Sequence, residues 1–181
     1  MRIVSGKYRS RIIKCQEGKT TRPTSDRVRE AIFSIISPYI TGAKVLDLFA
    51  GTGALAIESL SRGAESAISI ENSKEAWDIL NCNKTSIDPT MNLEIRLTDA
   101  FNFLVTCNTS FDLVFLDPPY RSGFYDKVLQ IIAEKDILKS GKLIVIEHDK
   151  EWTFNDRITE GFTSWKEKKY GKTYVTILMR Q

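Results

Sequence analysis

From about residue 43 the chain alternates short apolar runs with stretches of helical periodicity, and this alternation restricts its fold more than any other feature. Lys44 to Phe49 reads as a buried strand, and Ala54 to Ser61 as a helix followed by Gly63 in a C-cap-like position. Ser66 to Glu71 reads as a second strand, Lys74 to about Lys84 as a second helix and Leu93 to Thr98 as a third strand. Asp112 to Leu116 and Leu143 to Glu147 supply two more strands, with a helix of about Tyr125 to Lys135 between them. Strands separated by helices imply a mainly parallel sheet covered on both faces. The end differs. Thr163 to Lys169 and Thr173 to Met179 flank Tyr170, Gly171 and Lys172, a glycine-bearing connection typical of a hairpin. The expectation is an α/β, Rossmann-like sheet closed by an antiparallel hairpin.

The first forty residues stand outside this pattern. Arg2-Ile3-Val4 and Arg11-Ile12-Ile13 suit a small basic hairpin, and Cys15 to Arg22 suits an irregular loop. Pro23-Thr24-Ser25 opens a helix to about Ser37, with Val28, Ile32, Ile35 and Ile36 as its apolar stripe. The predicted division is a basic arm over residues 1–40 and an α/β domain over 41–181. At 181 residues there is room for one core of that size. No run of 18 apolar residues suggests a membrane span, and the N-terminus lacks the apolar stretch of a signal peptide. Three cysteines without CxxC spacing and a single histidine, His148, argue against disulfide frameworks and metal centres. A cytoplasmic, metal-free monomer is expected.

Charge is uneven along the chain. Residues 1–30 carry nine Lys/Arg against three acids, and residues 157–181 six against two. With a net charge of +3, the stretch between them carries −7. Basic ends around an acidic centre suit a polyanionic partner at the ends and a cationic ligand at the centre.

Asp47 to Ala56 places a glycine turn, Gly51-Thr52-Gly53, between the first strand and its helix. The spacing formally matches a dinucleotide fingerprint, and Glu71 lies a suitable distance on. Asp47 discriminates. At the end of the first strand its carboxylate would face a pyrophosphate, at a cost of roughly 4 kcal/mol for unit charges about 4 Å apart at an effective dielectric of 20. A cofactor with an ammonium, a sulfonium and no phosphate turns that cost into attraction, as S-adenosylmethionine does. Glu71 is expected to hold the ribose hydroxyls and Asp99 the adenine amino group, with Ala100 contributing backbone.

Phe111 to Tyr120 is the most informative stretch: an apolar strand ending in Asp117-Pro118-Pro119-Tyr120. The prolines fix φ and carry no N–H, so Asp117 and the Pro118 carbonyl can be held as acceptors. Acceptors so placed suit an exocyclic amino group on a base, whose lone pair they would aim at a methyl donor. Tyr120 is expected to stack on the base.

These residues resemble the class I S-adenosylmethionine-dependent methyltransferases, and within them the bacterial 16S rRNA guanine-N2 methyltransferases of the RsmD type. The resemblance rests on Arg2 to Arg11, Arg22-Pro23-Thr24-Ser25-Asp26-Arg27-Val28-Arg29-Glu30, Asp47 to Leu55, Ser61 to Ala64 and Asp117 to Tyr120. It implies a seven-stranded sheet and methylation of a guanine in the small ribosomal subunit, guanine 966 in the family's usual rRNA numbering. It implies S-adenosylmethionine as cofactor, S-adenosylhomocysteine as product, and a cofactor site of Asp47, Phe49, Gly51, Gly53, Glu71, Asp99 and Ala100. Asp117, Pro118 and Tyr120 are the implied catalytic group; Arg9, Arg11, Arg22, Arg27 and Arg29 are expected to contact RNA. Related motifs also occur in adenine-N6 DNA methyltransferases and protein glutamine methyltransferases, which the small size and the Arg22-Pro23-Thr24 segment disfavour.

Overall fold

A computed structural model describes residues 1–15, 26–118, 124–155 and 160–181. Seven strands form one sheet in the order β3-β2-β1-β4-β5-β7-β6. These are β1 (Lys44–Asp47), β2 (Ser66–Glu71), β3 (Leu93–Leu97), β4 (Phe111–Leu116), β5 (Leu138–His148), β6 (Phe162–Tyr170) and β7 (Thr173–Arg180). The strands from β1 to β5 pair in parallel, and β7 runs antiparallel between β5 and β6. The helices are α1 (Asp26–Ile35), α2 (Ala54–Ser61), α3 (Lys74–Ile87), α4 (Ala100–Thr106) and α5 (Phe124–Glu134). Among the described residues no helix is long and apolar enough to cross a membrane.

Period-two alternation along strands buried on both faces creates two cores. On β1, Val45 packs with α1, α2 and the N-terminal arm, while its neighbour Leu46 packs with α4 and α5. On β4, Leu113 and Phe115 join the first core, Val114 and Leu116 the second. The architecture anticipated from the sequence is therefore observed, with local departures. α3 continues to Ile87. β5 begins at Leu138 because its register against β4 shifts between Phe111 and Leu113, accommodating the polar stretch Lys139 to Lys142 that breaks the apolar run. α4 was not anticipated; seven residues are too few to show a helical period, and its start is set by Asp99, whose Oδ1 accepts from the amides of Phe101 and Asn102 at 2.8 and 3.1 Å.

The expected N-terminal hairpin is present as a short antiparallel pairing centred on the Arg2–Ile12 bridge, with the Ile3 amide donating to the Arg11 carbonyl at 3.0 Å and the Ile13 amide to the Met1 carbonyl at 3.0 Å. Burial contributes to holding the arm: Ile3 and Ile13 are almost wholly enclosed in the first core, each stabilising by about 1.5–3 kcal/mol.

Candidate active site

The sheet changes direction between β1 and β4: the chain builds outward from β1 to β3, then returns to place β4 on β1's other side. In open α/β sheets ligands bind outside the carboxyl ends of the strands at such a switch. The parallel registers set the depth of each acid there. Asp47 lies level with Ser69 and Phe115, so Glu71 and Asp117 sit two residues, about 7 Å, further along their own strands. Asp99 follows two residues after Leu97, the partner of Glu71. The edge thus carries one deep carboxylate and three shallower ones.

Asp47 is the deep one: its carboxylate is buried and, among the described residues, makes no well-formed hydrogen bond, the amides of Ala56 and Phe49 being the donors that face it. Burial, aided by nearby Glu71, pushes its pKa up to about 7, against a smaller opposing pull from the amides of Ala56 and Phe49. A buried carboxylate without a protein donor can be paired by water or by a cationic ligand. Between about 3.8, its ordinary value, and 7, the folded protein keeps a proton that the unfolded chain has released. Stability of the ligand-free protein therefore falls as pH rises through that window. Asp47→Asn is neutral throughout, so its melting temperature should gain on the wild type between pH 5 and pH 8. A constant difference across that range, measured by thermal scans, would contradict the buried charge.

The glycine loop lies over Asp47. Gly51 and Gly53 adopt φ of 52° and 79°, a region closed to most side chains, and a Cβ on Gly51 would meet open space within 4 Å. Loop and acids are tied together: Glu71 accepts from the Gly51 amide at 2.9 Å and the Ser73 amide at 2.7 Å. A small cleft beside it is lined by Phe49, Ile70, Glu71, Asn72, Thr98 and Ala100. Phe49 meets Phe124 edge-on with ring centroids 6.3 Å apart, and Phe124 lies 5.3 Å from Phe101. Phe101 and Phe124 carry no signal in the sequence, since they belong to two different helices, α4 and α5, that pack on one face of the sheet and only the fold unites them with Phe49. The orphaned carboxylate, the open glycine loop and the aromatic rings suit a cationic, phosphate-free nucleoside cofactor.

Across the switch, β4 is wholly buried and ends at Leu116, leaving half-buried Asp117 and buried Pro118 at its exit. Pro119 and Tyr120 lie outside the described residues. His148, at the end of β5, is enclosed by Tyr125, Trp152 and Tyr174. Its Nε2 lies 2.8 Å from Thr176 Oγ1 and its Nδ1 2.6 Å from the Asp149 carbonyl; burial lowers its pKa. It is a packing residue.

The arm's arginines divide. Arg9, Arg11 and Arg27 are exposed, and Arg22 lies outside the described residues. Arg29 corrects the sequence expectation: its side chain is fully buried and cannot reach RNA. Its guanidinium faces Glu58 at 3.7 Å and Asp26 at 3.1 Å, and donates to the Arg2 carbonyl. Glu58, also fully buried, further accepts from the amides of Val4 and Ser5 at 2.8 and 3.0 Å and from Arg62 at 2.7 Å. Ser61 Oγ accepts from the Tyr8 amide at 2.9 Å and donates to the Ser5 carbonyl at 2.5 Å. The sequence offered one signal for this clasp, an acid set within the apolar helix Ala54–Ser61.

Residues 1–179 match the family described as Conserved hypothetical protein 95. The chain is 36% identical to "Putative rRNA methyltransferase YlbH" of Bacillus subtilis, with both proteins covered in full. It is 34% identical over 151 residues to "Ribosomal RNA small subunit methyltransferase D" of Escherichia coli, covering 83% of this chain and 76% of that protein. Among solved structures, "Putative methyltransferase yhhF from Escherichia coli" superposes with a TM-score of 0.90 at 31% identity, across 100% and 98% of the two chains. Because these matches take in the arm and the glycine loop alike, the chain belongs to this family, the class I methyltransferases of the RsmD type.

Proposed function

We propose that the protein methylates the exocyclic N2 of a guanine in small-subunit (16S) rRNA, with S-adenosylmethionine as donor and guanine 966, in the family's rRNA numbering, as the position. The observation that carries this reading is the juxtaposition, across β1 and β4, of the partnerless buried carboxylate of Asp47 and the acceptor pair at Asp117 and Pro118. The first suits a cation and the second an amino group that must meet it. The names borne by the relatives favour small-subunit rRNA as the source of that amino group.

When bound, S-adenosylmethionine supplies a methyl group on a positively charged sulfur. Asp47 favours that charge through the field of its ionised carboxylate, and Glu71 and the Gly51 loop orient the ribose. Asp99 and the Phe49 side take the adenine. Asp117 and the Pro118 carbonyl accept the two N–H bonds of the guanine amino group and aim its lone pair, while Tyr120 stacks on the base. The nitrogen forms its new bond to carbon as the carbon–sulfur bond breaks, leaving S-adenosylhomocysteine. The methylated nitrogen is then strongly acidic, and its proton passes to water. A structured base must first swing out of its stack. The 41–181 domain performs this chemistry as a monomer in the cytoplasm, and Arg9, Arg11, Arg22 and Arg27 of the 1–40 arm meet phosphates.

The test is transfer of a labelled methyl group to small subunits from a strain lacking this protein, followed by mass-spectrometric mapping of the rRNA. N2-methylguanosine at one position is the expected product. Label confined to adenine in a DNA control, or to protein, would overturn the assignment.

A further inference from the structure

Asn83 on α3 is fully buried and joins two segments that the sequence places far apart. Its Oδ1 accepts from the Lys14 amide at 2.8 Å, and its Nδ2 donates to the Lys14 carbonyl at 3.0 Å and to the Thr52 carbonyl at 3.0 Å. Thr52 stands between Gly51 and Gly53 in the loop over Asp47; Lys14 lies on the arm three residues beyond exposed Arg11. A primary amide has two N–H donors, and here one goes to each segment.

The arm's other end is secured separately. Val4 and Ser5 are held by Glu58, and Tyr8 donates from its hydroxyl to Asp88 at 2.7 Å. The bonds to Glu58 and Asp88 fix the arm on α2 and after α3 without touching the glycine loop. Asn83 does touch it, and in a buried site no water replaces a bond lost when either segment shifts.

We propose that Asn83 is a positioning residue that couples occupancy of the glycine loop to the placement of the arm, so that cofactor and nucleic acid bind cooperatively. This rests on the reading that the loop holds the cofactor and the arm meets rRNA. Settling the Thr52 carbonyl beside a bound ligand fixes the Asn83 amide, and the amide fixes Lys14. Linkage makes the effect reciprocal: whatever factor the cofactor lends to rRNA affinity, rRNA lends to cofactor affinity.

Hydrogen exchange of the full chain, with and without saturating S-adenosylhomocysteine, reads the coupling without needing turnover. In the wild type the amides of Ile13 and Lys14 should exchange about five-fold more slowly when the ligand is bound. Asn83→Asp keeps an acceptor for the Lys14 amide but has no N–H for Thr52. Lys14→Pro leaves the bond to Thr52 in place and removes the arm's N–H, with Ile13 as the reporter. Either variant should still bind S-adenosylhomocysteine; Asn83→Asp should lose the ligand-induced slowing, and Lys14→Pro, which on the arm's side keeps only the bond to the Lys14 carbonyl, should lose part of it. A wild type that binds the ligand with no change at Ile13 and Lys14, or variants that respond as the wild type does, would overturn the coupling. A wild type that binds no S-adenosylhomocysteine overturns the cofactor reading, and this proposal with it.

Discussion

Asp117→Ala should reduce methyl transfer about 100- to 1,000-fold, while S-adenosylhomocysteine binds within about three-fold of the wild type. The amino group of a base is a poor nucleophile because its lone pair is delocalised into the ring. Acceptors fixed before the reaction favour the pyramidal nitrogen and the positive charge that develops on it, and removing one such preorganised group typically costs 10²–10³ in rate. Asp117 is well placed to be fixed in advance: it leaves a strand buried along its whole length and is followed by Pro118, whose ring restricts the backbone. Single-turnover rates measure the first quantity and calorimetry the second. Pro118→Ala retains the backbone carbonyl and should lose much less. Equal losses of rate and of ligand affinity in Asp117→Ala would move Asp117 from the base to the cofactor.

Glu58→Ala should destabilise the protein by about 3–5 kcal/mol, the usual consequence of leaving one member of a buried charge pair without the other. Arg29 has no exposed surface, and among the described residues its Nε and Nη1 have no hydrogen-bond partner. Without Glu58 its charge keeps, among the described residues, the half-exposed Asp26 and the Arg2 carbonyl, and the amides of Val4 and Ser5 lose their acceptor. Arg29→Met removes the cation but leaves Glu58 bonded to Arg62 and both amides, so it should cost less. Urea unfolding midpoints rank the two variants. A loss below about 1 kcal/mol for Glu58→Ala would mean that water enters the clasp and replaces the missing group.

The parts of this molecule visible in the sequence share a physical property: each is specified over a few consecutive residues. A strand buried on both faces is apolar along its inner length, so Val45-Leu46 before Asp47 and Leu113 to Leu116 before Asp117 announce themselves. The turn at Gly51 and Gly53 needs positive φ, which glycine supplies. Strand-end acids at Asp47, Glu71 and Asp117 follow directly from where those runs stop. By contrast, Arg29 looks like any arginine of a surface helix; its burial depends on Glu58, nearly thirty residues on. The same holds for Asn83, whose partners Lys14 and Thr52 lie on the arm and the glycine loop.

Chain order and apolar periodicity alone determined the α/β architecture, the hairpin that closes it and the strand ends where the carboxylates collect, because local backbone preference and side-chain burial act over short stretches. Only the tertiary structure decided how deep each carboxylate lies, that Asp47 is left without a partner, which arginine is enclosed and which are open to solvent, and how the arm is fastened to the glycine loop. Those outcomes depend on desolvation and on contacts between distant segments, and neither exists until the sheet has brought the segments together.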